Sequence, residues 1–176
     1  MIDQVVDELE REILEGRARW VADLNETFRD YSLKGHSFEM FARGQTRTKG
    51  FMLSRFFAWT VLPNYKVSMY VRVVRESTNF QRGNLLDLLK ILQQEMEKQN
   101  VKWIWLILFF EGDPPDKISS LVQEYDKKEI GIGCLNAYSG AIIVSKNVLG
   151  SSLVKHLGLH HLVSNYERKS RKSSVS

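Results

Sequence analysis

The sequence predicts a single α/β domain, with a mixed central sheet flanked by helices in the order α-β-β-β-α-β-α-β. Three observations carry that expectation. Between residues 67 and 136 strand-like and helix-like stretches alternate, the pattern of parallel strands joined by right-handed crossovers. The stretch VKWIWLILFF is apolar at nearly every position, as a strand covered on both faces must be. A chain of 176 residues, 43% hydrophobic and 26% charged, closes one core of ordinary size and is short for two.

Taken in order, Ile2, Val5, Val6, Leu9, Ile13, Trp20 and Leu24 recur at three- and four-residue spacing, with Glu8, Glu10, Arg11, Glu12 and Glu15 elsewhere on the wheel. This predicts one long surface helix packed through a single stripe. Gly16 is a weak point within it, and Gly35 lies in the polar stretch that ends the region. The same stripe leaves room for a homodimer contact. Ser37 to Ala42 and Phe51 to Leu62 are rich in aromatic and β-branched residues and flank ARGQTRTKG, which predicts a hairpin with an exposed basic loop. Pro63 and Asn64 then turn the chain into a strand from Val67 to Val74.

Asn84 reads as the N-cap of a helix with Leu85, Leu86, Leu88, Leu89, Leu92 and Met96 on its buried side. After the apolar strand, EGDPPDK offers Asp113 as an N-cap and proline at the first helical position, for a helix packed through Ile118, Leu121, Val122 and Tyr125. IGIGCLNAYSGAIIVS reads as two short strands about a Tyr138-Ser139-Gly140 turn, and Leu149 to Val163 as a closing helix. The domain is expected over residues 1–163. Residues 164–176 form a basic, Ser-rich tail with almost no apolar side chains, expected to be disordered.

Composition bounds the function. A formal charge of +4 and a pI near 9.2 suit a polyanionic partner. Cys134 is the only cysteine, which excludes an intramolecular disulfide and a thiolate-cage zinc site, and it reads as a small core residue. The N-terminal stretch lacks the pattern of a signal peptide, and the longest apolar run, Trp103 to Phe110, is too short to cross a bilayer. The expectation is a cytoplasmic protein without a membrane partner.

YVRVVRES, a Leu-rich helix, WIWLILFF and KKEIGIGCLNAYSGAIIVS follow one another between Tyr70 and Ser145. In that order they resemble the PD-(D/E)XK nuclease superfamily, the restriction-endonuclease-like fold shared with archaeal junction resolvases. Before Tyr70 the resemblance is one of element order. It implies a catalytic strand at YVRVVRES, with Mg²⁺ held by an Asp on one strand and by the Glu of a Glu-x-Lys on the next, the lysine helping to activate water. Here the chain departs from the pattern. Val73 and Arg75, or Arg72 and Val74, stand where the Glu and Lys belong, and residues 51–71 contain no Asp or Glu.

Arginine grips a phosphate through its planar fork but cannot ligate Mg²⁺. The reading that follows is a nucleic-acid-binding or assembly module, with no catalytic residue and no cofactor. DNA or RNA would be the partner, and Arg43, Arg47, Lys49, Arg72 and Arg75 the phosphate contacts. Two alternatives stay open: a Mg²⁺-dependent nuclease with its acids relocated to Glu8, Glu39 and Glu76, and a protein-interaction domain with no nucleic-acid role. Arg72 and Arg75 also have a plainer reading, as sheet-edge residues paired with helix acids. Phe38, Phe41, Phe51, Phe56 and Phe57 interleave with Lys34, Arg43, Arg47, Lys49 and Arg55, but strand alternation turns most of those rings inward and leaves the basic loop to the phosphates. His156, His160 and His161 read as ordinary surface histidines. Gly131 and Gly133 precede a strand instead of opening a helix, so IGIG is not a nucleotide-binding turn.

Overall fold

The computed structural model describes residues 2–16, 22–46, 64–155, 157–159 and 161–162. It is an α/β fold, a six-stranded mixed sheet flanked by four helices. The elements are α1 (Ile2–Leu14), β1 (Ala22–Leu33), β2 (His36–Thr46), β3 (Lys66–Val74), a 3-10 turn at Ser77–Asn79, α2 (Arg82–Gln99), β4 (Val101–Phe110), α3 (Asp116–Glu124), β5 (Ile130–Asn136), β6 (Ile142–Val144) and α4 (Val148–Lys155). Strands lie in the sheet in chain order. β3, β4 and β5 run parallel, while β1–β2, β2–β3 and β5–β6 pair antiparallel.

The crossover helices α2 and α3 share one face of the sheet, and α1 and α4 share the other, so β4 is buried on both sides as its apolar sequence requires. Trp105 pins α4 to that strand: its Nε1–H donates to Ser152 Oγ at 3.1 Å and to the Leu149 carbonyl at 3.2 Å. Gly131 and Gly133 account for IGIG. A Cβ on Gly131 would sit 2.6 Å from the Leu149 carbonyl carbon, and one on Gly133 would sit 2.9 Å from Leu153 Cδ1. These glycines let α4 lie directly on β5.

Several expectations are corrected. The first helix ends at Leu14, Gly16 has φ 76, and Leu24 belongs to β1. Leu24 keeps helical spacing with Ile13 by coincidence. The half-exposed β1 concealed its strand character behind polar side chains. β1 is itself the partner of β2, across a two-residue turn in which Lys34 has φ 48 and Gly35 φ 84, the conformation that suits a tight hairpin. The expected pairing half at Phe51 to Leu62 lies outside the described residues, as does Trp20. β2 continues to Thr46, so Arg43 sits in a strand and not in an exposed loop.

The α1 stripe of Ile2, Val5, Val6, Leu9 and Ile13 is buried in the core. Asn84 is not the N-cap of α2; its Oδ1 accepts the backbone N–H of Gln81 at 2.7 Å, one turn earlier. Asp113 does not cap α3 either, because its carboxylate accepts the Asn136 amide at 2.8 Å and ties the end of β5. α4 stops at Lys155, short of the expected Val163.

Candidate nucleic-acid interface

β3 is a central strand between β2 and β4, so Arg72 does not lie on an edge. Its guanidinium is half-buried, 5.8 Å from the Phe80 ring centroid, and Nη1 is 3.4 Å from His36 Nδ1. Burial pulls its pKa below the usual arginine range, and the nearby Glu39 charge opposes that. β2–β3 pairing ends at Met40↔Val71, and the Glu39 carboxylate continues it by accepting the Val73 backbone N–H at 2.6 Å.

Arg75 follows β3 and is exposed. Its Nη2 lies 2.9 Å from Asp3 in the first turn of α1, and its Nη1 lies 3.7 Å from Glu111 after β4. The hydrogen bond it donates to the Asp3 carboxylate is the main reason its pKa is raised. The two arginines therefore hold the end of the sheet together, and Arg75 does pair with a helix acid.

The three acids considered as a relocated metal site are not gathered. Glu8 is buried beside Arg11, Glu39 holds β3, and Glu76 accepts the Asn79 amide. Among the described residues no group of three or more His, Cys, Asp or Glu is placed to hold a metal ion. His161 is exposed, while His156, His160, Arg47 and Lys49 lie outside the described residues. Cys134 is fully buried, and burial pushes its thiol up to about 12. Among the described residues no helix is long and apolar enough to cross a membrane.

A different feature lies on the α2 face of the hairpin. Phe28 and Phe41 are directly opposed across β1 and β2, with ring centroids 5.7 Å apart. Strict alternation would turn Tyr31 to the other face. Asp30, at φ 51, interrupts that alternation, and Tyr31 stacks on Phe41 at 4.4 Å and 22°. Tyr70 of β3 joins at 4.8 Å from Phe41. The result is a ladder of rings across three strands, with Phe28 40% exposed at its outer end and Tyr70 buried at its inner end.

This ladder forms one wall of a cleft of about 610 Å³, within the range of roughly 300–1,000 Å³ typical of small-ligand sites. Arg43 stands at its rim, 5.3 Å above the Phe28 ring, with Nε and Nη2 donating to Glu26 at 2.8 and 2.5 Å. Lys66 and Ser68 contribute from β3, and Glu95 and Gln99 from the last turns of α2. Glu95 is only 7% exposed, and it makes no hydrogen bond or ion pair among the described residues. Burial raises the Tyr31 and Tyr70 hydroxyl pKa values, and the Glu95 charge adds to both shifts.

Of the cleft residues, the sequence singled out Arg43 for phosphate contact and Phe41 among the rings interleaved with basic residues. Phe28, Tyr31 and Glu95 were missed, although the Lys34-Gly35 turn between aromatic stretches was a hairpin signal. Charge also needs correcting. The described residues hold 16 Lys and Arg against 20 Asp and Glu, out of totals of 25 and 21; the other nine basic residues accompany only Glu167. The basic excess is thus a property of residues 17–21, 47–63 and 163–176, and not of the sheet and its helices.

Fold and site together define an α/β protein with an aromatic cleft at one end of a mixed sheet. No family model, curated protein or solved structure matches the chain.

Proposed function

We propose that this chain is a nucleic-acid-binding or assembly module on a restriction-endonuclease-like scaffold that lacks the metal-ligand carboxylates. The order of elements from α1 to β5 supports the scaffold, as does a central β3 passing through α2 into a parallel β4. Val73 and Arg75, or Arg72 and Val74, stand where the resemblance puts the Glu and Lys, and none of these side chains can hold a divalent cation.

The observation that carries the reading is the ring ladder of Phe28, Tyr31, Phe41 and Tyr70 beneath Arg43. Aromatic faces stack on unpaired bases of any identity, and arginine at the rim of such a platform reaches the backbone phosphates. Single-stranded nucleic acid is therefore the substrate form that suits the cleft. The remaining basic residues, concentrated in segments with hardly any acids, supply attraction to the polyanion.

The test is fluorescence polarisation on labelled single-stranded, duplex and junction DNA and RNA, at low and moderate salt with Mg²⁺, with each sample then run on a gel. Salt-sensitive binding that favours single strands and leaves them intact is the expected result. Mg²⁺-dependent cleavage would replace this reading with the nuclease, and absence of binding would replace it with the protein-interaction domain.

A further inference from the structure

Resting on that reading, we propose that the aromatic cleft is a guanine subsite, in which Glu95 accepts hydrogen bonds from the N1–H and the 2-amino group of an unpaired guanine. The argument starts from the carboxylate. Glu95 is nine-tenths buried, lines the cleft, and has neither a cation nor a hydrogen-bond donor among the described residues. A carboxylate that accepts no hydrogen bond within the described protein and lines an open cleft is matched by a ligand that brings donors to it.

The rings define the shape of that ligand. Phe28, Phe41 and Tyr31 stack nearly parallel, at interplanar angles of 26° and 22°, and so present a surface for a flat heterocycle. Among the four common bases only guanine places two N–H donors side by side on one edge. Adenine and cytosine set an amino group beside a ring acceptor, which a carboxylate repels, and uracil flanks its single N–H with two carbonyls. Stacking on the ladder with the Watson–Crick edge toward Glu95 uses both features of the cleft. Lys66 and Arg43 stand exposed at the rim, where the sugar-phosphate of the same nucleotide would leave.

The experiment is competition polarisation with short thymine-rich oligonucleotides carrying one central guanine, inosine, adenine or cytosine. Guanosine monophosphate and tetramethylammonium serve as free competitors, and wild type is compared with Glu95→Gln. The guanine strand is expected to bind about tenfold more tightly than the adenine or cytosine strands. Inosine, which lacks the 2-amino group, should fall between, and Glu95→Gln should erase the preference. Displacement by guanosine monophosphate as effective as by the guanine strand would support the subsite and make the free nucleotide its occupant; weaker displacement would assign it to a base within a strand. Equal affinities, a preference that survives Glu95→Gln, or tighter competition by tetramethylammonium would each overturn the guanine site. Equal but salt-sensitive binding would overturn it and leave the nucleic-acid reading standing, whereas no binding of any strand would overturn both.

Discussion

Replacing Glu39 with alanine separates a structural role from a catalytic one. Its carboxylate accepts the Val73 N–H at 2.6 Å where backbone pairing between β2 and β3 has stopped, and it faces the half-buried Arg72. Truncation leaves that N–H without an acceptor, at a cost of about 1–3 kcal/mol. It also strips the anion from Arg72, and the two losses together amount to about 2–3 kcal/mol. Glu39→Gln keeps an acceptor oxygen and should cost only about 1 kcal/mol. Urea unfolding followed by circular dichroism reads both. With a slope of about 2 kcal/mol per molar, the alanine midpoint should fall by about 1 M. An alanine midpoint equal to wild type, or a glutamine variant as damaged as the alanine, would refute the pinning role. Glu39 would then be free for the metal site that the nuclease alternative requires.

Other outcomes follow from the same contacts. Gly131→Ala should lower stability by about 1–3 kcal/mol in thermal unfolding, because the added carbon meets the backbone of α4 and not a movable side-chain end. Arg43→Ala should weaken single-strand binding and reduce the slope of log affinity against log salt by about one, while Arg75→Ala, held between Asp3 and Glu111, should change that slope little. Cys134 should resist a thiol reagent at mildly alkaline pH until the protein unfolds. Its folded pKa near 12 lies above the usual 9.0, so the unfolded chain loses the proton first and stability should fall as pH rises from 9 toward 12. A native thiol that reacts at once would contradict that burial.

How much could be read from the sequence depended on which physical signal each segment carried. From Val67 onward, apolar periodicity located the strands and the α-helices, because apolar runs buried on both faces have few other places to go, although the cap residues of α2 and α3 and the end of α4 were misplaced. β1 was lost because half of its residues are exposed and only three are buried, and the positive φ at Asp30 breaks the alternation that would have identified it. The cleft was lost with it, since its outer rings sit on that strand. Arg72 and Arg75 were conspicuous in sequence, yet their partners come from three separate places in the chain, His36 and Glu39 from β2, Asp3 from α1 and Glu111 from after β4. Glu95 lies three residues after Leu92 on the buried stripe of α2, a spacing signal that its polar side chain masked.

The most direct test of the central claim is single-strand affinity measured across a salt series for wild type and Phe28→Ala, whose ring is 40% exposed and contributes little to the core. If the ladder is a stacking platform, the variant should lose about 1–3 kcal/mol of affinity at every salt concentration while its salt slope matches wild type. Unchanged affinity at all salt concentrations would contradict the account and leave the cleft without a role in nucleic-acid binding.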